Sequence, residues 1–391
     1  MKELTKLIVN DLDQFFSIDY INKIQINGVS LIKLDSKKIS FYKEKILQYT
    51  ALIEYIILQN KENIKALNVN QREVIKSNSP TLAYYYCYLI LNQKKFILEP
   101  IIKTNYKYSY LYAKDVIRRR WEPGEEIIKT NPEYSYHYAS DVIRGRWEPG
   151  EEIIKTSSIW SYHYARFVIK GRWEPGEEMI KTNPEWSYRY AFEIIKKRWK
   201  DGEKAILKNV LYTYNYARDV IKGRWEDGEK IIKTDPEHSY FYARDVIKGR
   251  WEDSEKIIKT SPYYCYYYAH YVIKGRWEEV ENIILQDSES AIKYAAKIIN
   301  RRWKELEDII INNPELCLEY ARSVIGGRWL EGEPAILSDA EISYIYVMDI
   351  INGRWPEGEP TIMNSEFRKG YLDILDYNGI DTTEIEKRYP E

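Results

Sequence analysis

Seven basic residues stand 26 positions apart along this 391-residue chain: Arg118, Arg144, Lys170, Lys196, Lys222, Lys248 and Lys274. Ten positions before each is an aromatic ring, in Tyr108, Tyr134, Trp160, Trp186, Tyr212, His238 and Tyr264. A mixed row lies between the two: His137, His163, Arg189, Asn215, Phe241, Tyr267 and Lys293. Cations interleaved with rings along one track are the pattern of a single-stranded nucleic-acid groove. Exposed Trp and Tyr beside Arg are equally what protein-interface anchors look like. A third reading is a solvated helix face, with Asp115, Asp141, Asp219 and Asp245 paired to the cations three positions on. Those acids, with a net charge of −1, weigh against nucleic acid. The candidate surface for a protein partner is therefore Tyr134, His137, Arg144, Trp160, His163, Lys170, Trp186, Arg189, Lys196, Tyr212, Lys222, Phe241, Lys248, Tyr267 and Lys274.

Other chemistry is thin. The chain has four histidines and three cysteines. His137 and His163 fall at the same place in successive repeats, about 10 Å apart at helix packing distance, too far to share an ion bound at about 2 Å. Cys265 and Cys317 are two repeats apart, beyond disulfide reach, and Cys87 falls at a core position. No phosphate-binding loop, dinucleotide fingerprint, nucleophile elbow or zinc-protease motif is present. Carboxylates recur as rows rather than as one unlike pair. No cofactor and no metal are expected.

These rows exist because the chain repeats. Arg-Trp at 120–121 recurs every 26 residues to 354–355, in ten copies without an insertion or deletion. A period of this length holds two short helices and two turns. Position one is Ser79, Asn105, Asn131, Ser157, Asn183, Asn209, Asp235, Ser261, Asp287, Asn313, Asp339 and Ser365, all residues suited to cap a helix N-terminus. In six of them Pro follows, at the helical position that tolerates it. The first helix is predicted to end at Gly145 and its equivalents as left-handed residues. Arg119, Lys197 and Arg301 replace that glycine, at about 1 kcal/mol each if the conformation is kept. A shorter second helix is predicted from near Pro149 to Thr156. At 100° per residue, the apolar side of the first helix collects Ser135, Tyr136, Tyr138, Ala139, Val142 and Ile143.

Six positions are identical in all ten copies, represented by Tyr138, Ile143, Arg146, Trp147, Glu151 and Ile154. Ten copies of one catalytic group would be strange, whereas ten copies of one packing contact are required. Trp147 is expected to fill the space between helices, and Arg146 to pair with Glu151, fixing register more than adding stability. The glycine of the EPGEE stretch reads as a turn feature.

Capping residues divide the chain into eleven full repeats over 79–364 and a polar C-terminal capping segment, 365–391. Residues 1–78 stand apart as a small α+β cap or domain: a helix near 3–17, a hairpin turning at Asn27-Gly28, and a helix near 39–60. The 37 Tyr and 12 Trp against 8 Phe suit a thin fold whose side chains sit near a surface. No window approaches 18 uncharged apolar residues, so no membrane span is expected. Three cysteines and no secretory core point to a reducing cytoplasm.

The consensus Y-A-x-x-V-I-K-G-R-W-x-x-G-E-x-x-I, over about residues 80–364, resembles repeats of large bacteriophages and other large DNA viruses. In fold it is similar to HEAT-like and leucine-rich-variant solenoids. The resemblance implies an all-α solenoid superhelix and a viral origin, hence a host cytoplasm. It carries no shared activity and no functional residue. The expectation is a non-enzymatic binding scaffold for a protein, in the viral case an inhibitor of a host defence protein. A nucleic-acid-binding solenoid for single strands or RNA, and an enzyme sited in residues 1–78, are the alternatives.

Overall fold

The computed structural model describes residues 71–390, together with the short strands Gln25–Ile26 and Val29–Ser30, which pair antiparallel. The expected helices near 3–17 and 39–60 lie outside the described residues, so an N-terminal cap is not part of the described architecture. Contacts divide the chain into two compact units, Met1–Ala205 and Ile206–Glu391. Each is built from the same helix pair.

In the first unit, repeat 131–156 opens with helix Pro132–His137. This continues as a π-helix over Tyr138–Ile143, and a second helix spans Glu148–Ile154. In the second unit, repeat 235–260 has Pro236–Tyr242, a π-helical Ala243–Ile247, and Glu252–Ile258. The starts follow from the caps. The Asn131 side chain accepts from the Tyr134 N–H at 3.1 Å, with Pro132 placed where no N–H is needed. Ser79, Asn105, Asn183, Asn209, Asp235, Ser261, Asp287, Asn313 and Asp339 cap in the same way. Ser157 makes no such bond, and the helix after Ser365 begins only at Arg368.

The ends differ from the expectation. The left-handed residue is not Gly145 but the residue before it: Arg118, Arg144, Lys170, Lys196, Lys222, Lys248 and Lys274 all have φ between 57° and 60°. Asn300, Gly326 and Asn352 hold the same place in later repeats. The cause is the π turn. Its wider loop sends the Lys196 N–H to the Ala191 carbonyl at 2.8 Å, and the Gly145 N–H to that of Ala139 at 3.1 Å. Closure therefore comes one residue earlier than a plain α-helix would place it. The apolar arc also departs from the expectation, for Val142 and Ile143 within the π turn. Ser135, Tyr138 and Ala139 are buried, but Tyr136, Val142 and Ile143 are only half-buried. A constant 100° step fails once the turn widens.

The identical residues form one lock between neighbouring repeats. Arg146 grips Glu151 with two hydrogen bonds, at 2.7 and 3.1 Å. Glu151 is buried and also accepts from the hydroxyl of Tyr164, in the following repeat, at 2.9 Å. The same hydroxyl accepts the Trp147 backbone N–H at 2.9 Å. The bond from the Trp N–H to the next repeat's Tyr recurs at Trp121–Tyr138 and Trp173–Tyr190 in the first unit. In the second it recurs at Trp225–Tyr242, Trp251–Tyr268, Trp277–Tyr294, Trp303–Tyr320 and Trp329–Tyr346. Trp147 itself is 3% exposed and lies under the second helix. Gly150 is therefore not a turn residue. It is in the first turn of that helix, and a Cβ there would meet the Trp147 ring at 2.3 Å.

Candidate functional site

The aromatic row sits at the start of each first helix, and its rings are used in packing. Trp160 stacks on Tyr136 of the preceding repeat with centroids 5.3 Å apart. Trp186 meets Tyr162 at 5.1 Å, Tyr134 meets Tyr110 at 5.8 Å, and Tyr264 meets Tyr240 at 6.0 Å. Tyr134, Trp160, Trp186 and Tyr212 are half-buried, and Tyr108 is buried. They are not free anchors: the rings of Tyr108, Tyr134, Trp160, Trp186 and Tyr264 each cover the seam left by a tyrosine one repeat earlier.

The mixed row extends this seam. His137 lies 5.4 Å from Trp160 and 5.0 Å from Tyr136; His163 lies 5.6 Å from both Trp160 and Trp186. Burial lowers the pKa of both imidazoles. Phe241 packs on Tyr240 at 5.1 Å, and Tyr267 on Tyr263 at 4.6 Å. Arg189 is held by Glu185 at 2.9 Å and lies over the Trp186 ring at 5.7 Å.

The cations stand at the other end of the helix. Ten residues separate Tyr134 from Arg144, on the order of 15 Å of helix. The expected interleaving is therefore two separate rows. Arg144, Lys170 and Lys196 in the first unit, and Lys222, Lys248 and Lys274 in the second, are exposed and make no ion pair among the described residues. Arg118 donates only to the Asp115 backbone carbonyl, at 3.2 Å.

The acids expected to pair with them are taken by other groups. Tyr84 donates to Asp115 at 2.7 Å, and Tyr214 to Asp245 at 2.6 Å. Asp141 receives both the Tyr110 hydroxyl and the Lys114 ammonium, the latter at 2.7 Å. Burial opposes ionisation of Asp141, yet these hydrogen bonds hold its carboxyl below its ordinary value. Asp219 pairs with Arg218 at 2.7 Å, rather than with Lys222.

Three further residues belong beside the cations. Phe167, Phe192 and Tyr271 are 49%, 46% and 49% exposed, three or four positions ahead of Lys170, Lys196 and Lys274. Their signal was present in the sequence: a large ring on the polar arc, with Phe167 and Tyr271 where other repeats carry Asp or Glu.

Asp235, Glu237 and His238 bring one potential metal ligand each within 4.8 Å. Asp235 is already committed there, as the cap accepting the His238 N–H at 2.9 Å, with His238 Nδ1 at 2.6 Å. All three cysteines are buried, and burial pushes Cys87 and Cys265 up to about 12, far from a reactive thiolate. Among the described residues no helix is long and apolar enough to cross a membrane. No protein-family model, no curated protein and no solved structure matches this chain.

Proposed function

We propose that the chain is a non-enzymatic binding scaffold whose row of helix-end cations receives an acidic protein surface. The observation that supports this is a mismatch between residue and conformation. Left-handed backbone favours Gly and Asn and disfavours longer side chains by about 1–2 kcal/mol. Asn92, Asn300, Gly326 and Asn352 show that this chain uses the favoured residues at some repeat ends. Seven consecutive repeats hold Lys or Arg there instead, at a cost in stability, and no ion pair among the described residues uses the charge. Retention of a strained cation is explained by something outside the chain.

Protein is the better-supported partner. Glu148, Glu152, Glu174, Glu178, Glu226 and Glu252 are exposed in the neighbouring second helices. They would repel a continuous phosphate backbone while leaving room for discrete acidic side chains. The exposed rings of Phe167, Phe192 and Tyr271 supply apolar contact beside the charge. Those same rings favour the second reading, a single nucleic-acid strand stacked beside a basic row. Resemblance to phage repeats makes a host defence protein the first partner class to test. The alternative of an enzymatic site in residues 1–78 rests on a stretch of which only 25–26, 29–30 and 71–78 are described.

The test is capture from host lysate with wild type and with a variant carrying Arg144→Asn, Lys170→Asn and Lys196→Asn, all in the first unit. Asn suits the left-handed backbone, so the variant keeps its fold. The expected result is a nuclease-resistant partner lost by the variant. Equal recovery of that partner overturns the reading. Loss of all capture after nuclease treatment, with steep salt dependence, transfers it to nucleic acid.

A further inference from the structure

We propose that the first unit carries a discrete site for a small polyphosphate, built where Arg118, Arg119, Arg120, Arg144 and Lys114 line one cleft. The cleft has a volume of about 580 Å³, and its other lining residues are Tyr88, Asp115, Asp141 and Val142. That size suits a compact ligand. Five cations face it with two carboxylates, and both carboxylates are already occupied: Asp115 by the Tyr84 hydroxyl, and Asp141 by Tyr110 and Lys114. Arg120 is clasped by Glu125 through two hydrogen bonds, at 2.7 and 3.0 Å. Arg118, Arg119 and Arg144 make no ion pair among the described residues, and all three are exposed.

Arg119 stands where Gly145, Gly171, Gly223, Gly249, Gly275, Gly327 and Gly353 occur. Lys197 and Arg301 also replace this glycine, but Lys197 has no guanidinium and Arg301 follows Asn300, so the run of three arginines is particular to this place. A Cβ at Gly145 meets nothing within 4 Å, so the position is open to solvent and packing does not explain a side chain there. Arg118 and Arg144 are in the strained left-handed conformation. Two successive helix ends thus present guanidinium groups to one cleft, with Arg119 as a third. Planar guanidinium forks match phosphate oxygens two at a time. Three of them with no acidic partner fit a ligand carrying two or more linked phosphates better than a single carboxylate. This goes beyond the scaffold reading: Arg119 and Lys114 are not members of the cation row.

Isothermal titration of the full chain with tripolyphosphate, and separately with ATP, tests the proposal. Wild type is expected to bind tripolyphosphate at one site. Arg119→Gly, which restores the glycine of other repeats, and Arg144→Asn, which relieves the backbone, should each weaken it at least tenfold. Neither residue takes part in the inter-repeat lock, so thermal midpoints without ligand should stay equal or rise. Lys256→Gln, in the second unit and outside the cation row, should bind as wild type does. Tighter binding of ATP would show that the nucleoside also contacts the cleft; equal binding would show recognition of the phosphate chain alone. Absence of binding at millimolar ligand overturns the site. So does equal binding by Arg119→Gly and Arg144→Asn, or an equal loss in Lys256→Gln, which would mark diffuse surface charge.

Discussion

The Tyr164 hydroxyl donates to Glu151 of the preceding repeat at 2.9 Å, and this one phenol ties two repeats together because it also accepts the Trp147 N–H. Tyr164→Phe leaves a buried N–H without its partner and removes one bond from a carboxylate. A loss of about 2–3 kcal/mol is expected. Urea unfolding followed by circular dichroism measures it, with helicity in water unchanged. A loss below about 0.5 kcal/mol would mean the bond is dispensable.

Two glycines of the same repeat should answer differently to alanine. Gly150→Ala drives a methyl group to within 2.3 Å of the Trp147 ring and should destabilise by about 1–3 kcal/mol. Gly145→Ala meets nothing, and Gly145 does not have positive φ. It should be neutral or stabilising by up to about 1 kcal/mol. Thermal unfolding of both variants checks the contrast. The opposite order would restore Gly145 as the left-handed residue.

Replacing a strained cation should stabilise the protein. Lys222→Asn keeps the left-handed backbone and exchanges a residue that disfavours it for one that tolerates it, worth roughly 1 kcal/mol. A rise in denaturation midpoint at unchanged m-value is the expected reading. A fall would mean that the lysine side chain supports the fold.

Acid should loosen the lock. Hydrogen bonding from Arg224 holds the Glu229 carboxyl below its ordinary value against the opposing effect of burial, and Arg302 does the same for Glu307. A depressed carboxyl contributes stability that is fully present above the unfolded value, about 4.3, and is lost as pH falls through the lower folded value. Stability measured from pH 6 down to pH 2 should therefore decline below about pH 4. Glu229→Gln should flatten part of that decline while lowering stability at neutral pH.

The repeat, its caps and the Arg146–Glu151 pair were legible in the sequence because each depends on residues close along the chain. Asn131 caps a helix that begins at the next residue, and Pro132 marks the same boundary. What was not legible follows from the π turn. No residue type announces it, and it moves the left-handed position from Gly145 to Arg144. That shift also explains why Asn300, Gly326 and Asn352 suit the same place in later repeats. The aromatic row was recognised as a row but assigned to solvent. Whether Trp160 faces outward or covers Tyr136 depends on how adjacent repeats meet, which spacing within one repeat does not contain. Phe167 and Phe192 each break the repeat pattern in a single copy, so spacing alone does not single them out.

The bond from Tyr164 to Trp147 and Glu151 points in one direction, from each repeat to the one before it. A nascent chain leaves the ribosome with its most recent carboxylate held by arginine alone, and the missing phenol arrives 13 residues later, in the first helix of the next repeat. Completion thus trails synthesis by about half a repeat, consistent with folding from the N-terminal side. At the far end, Tyr371 accepts the Trp355 N–H at 3.0 Å across 16 residues instead of 17. The last repeat is thereby finished by a helix outside the pattern. A ribosome-stalled series of lengths should gain protease resistance in steps, each one phenol late.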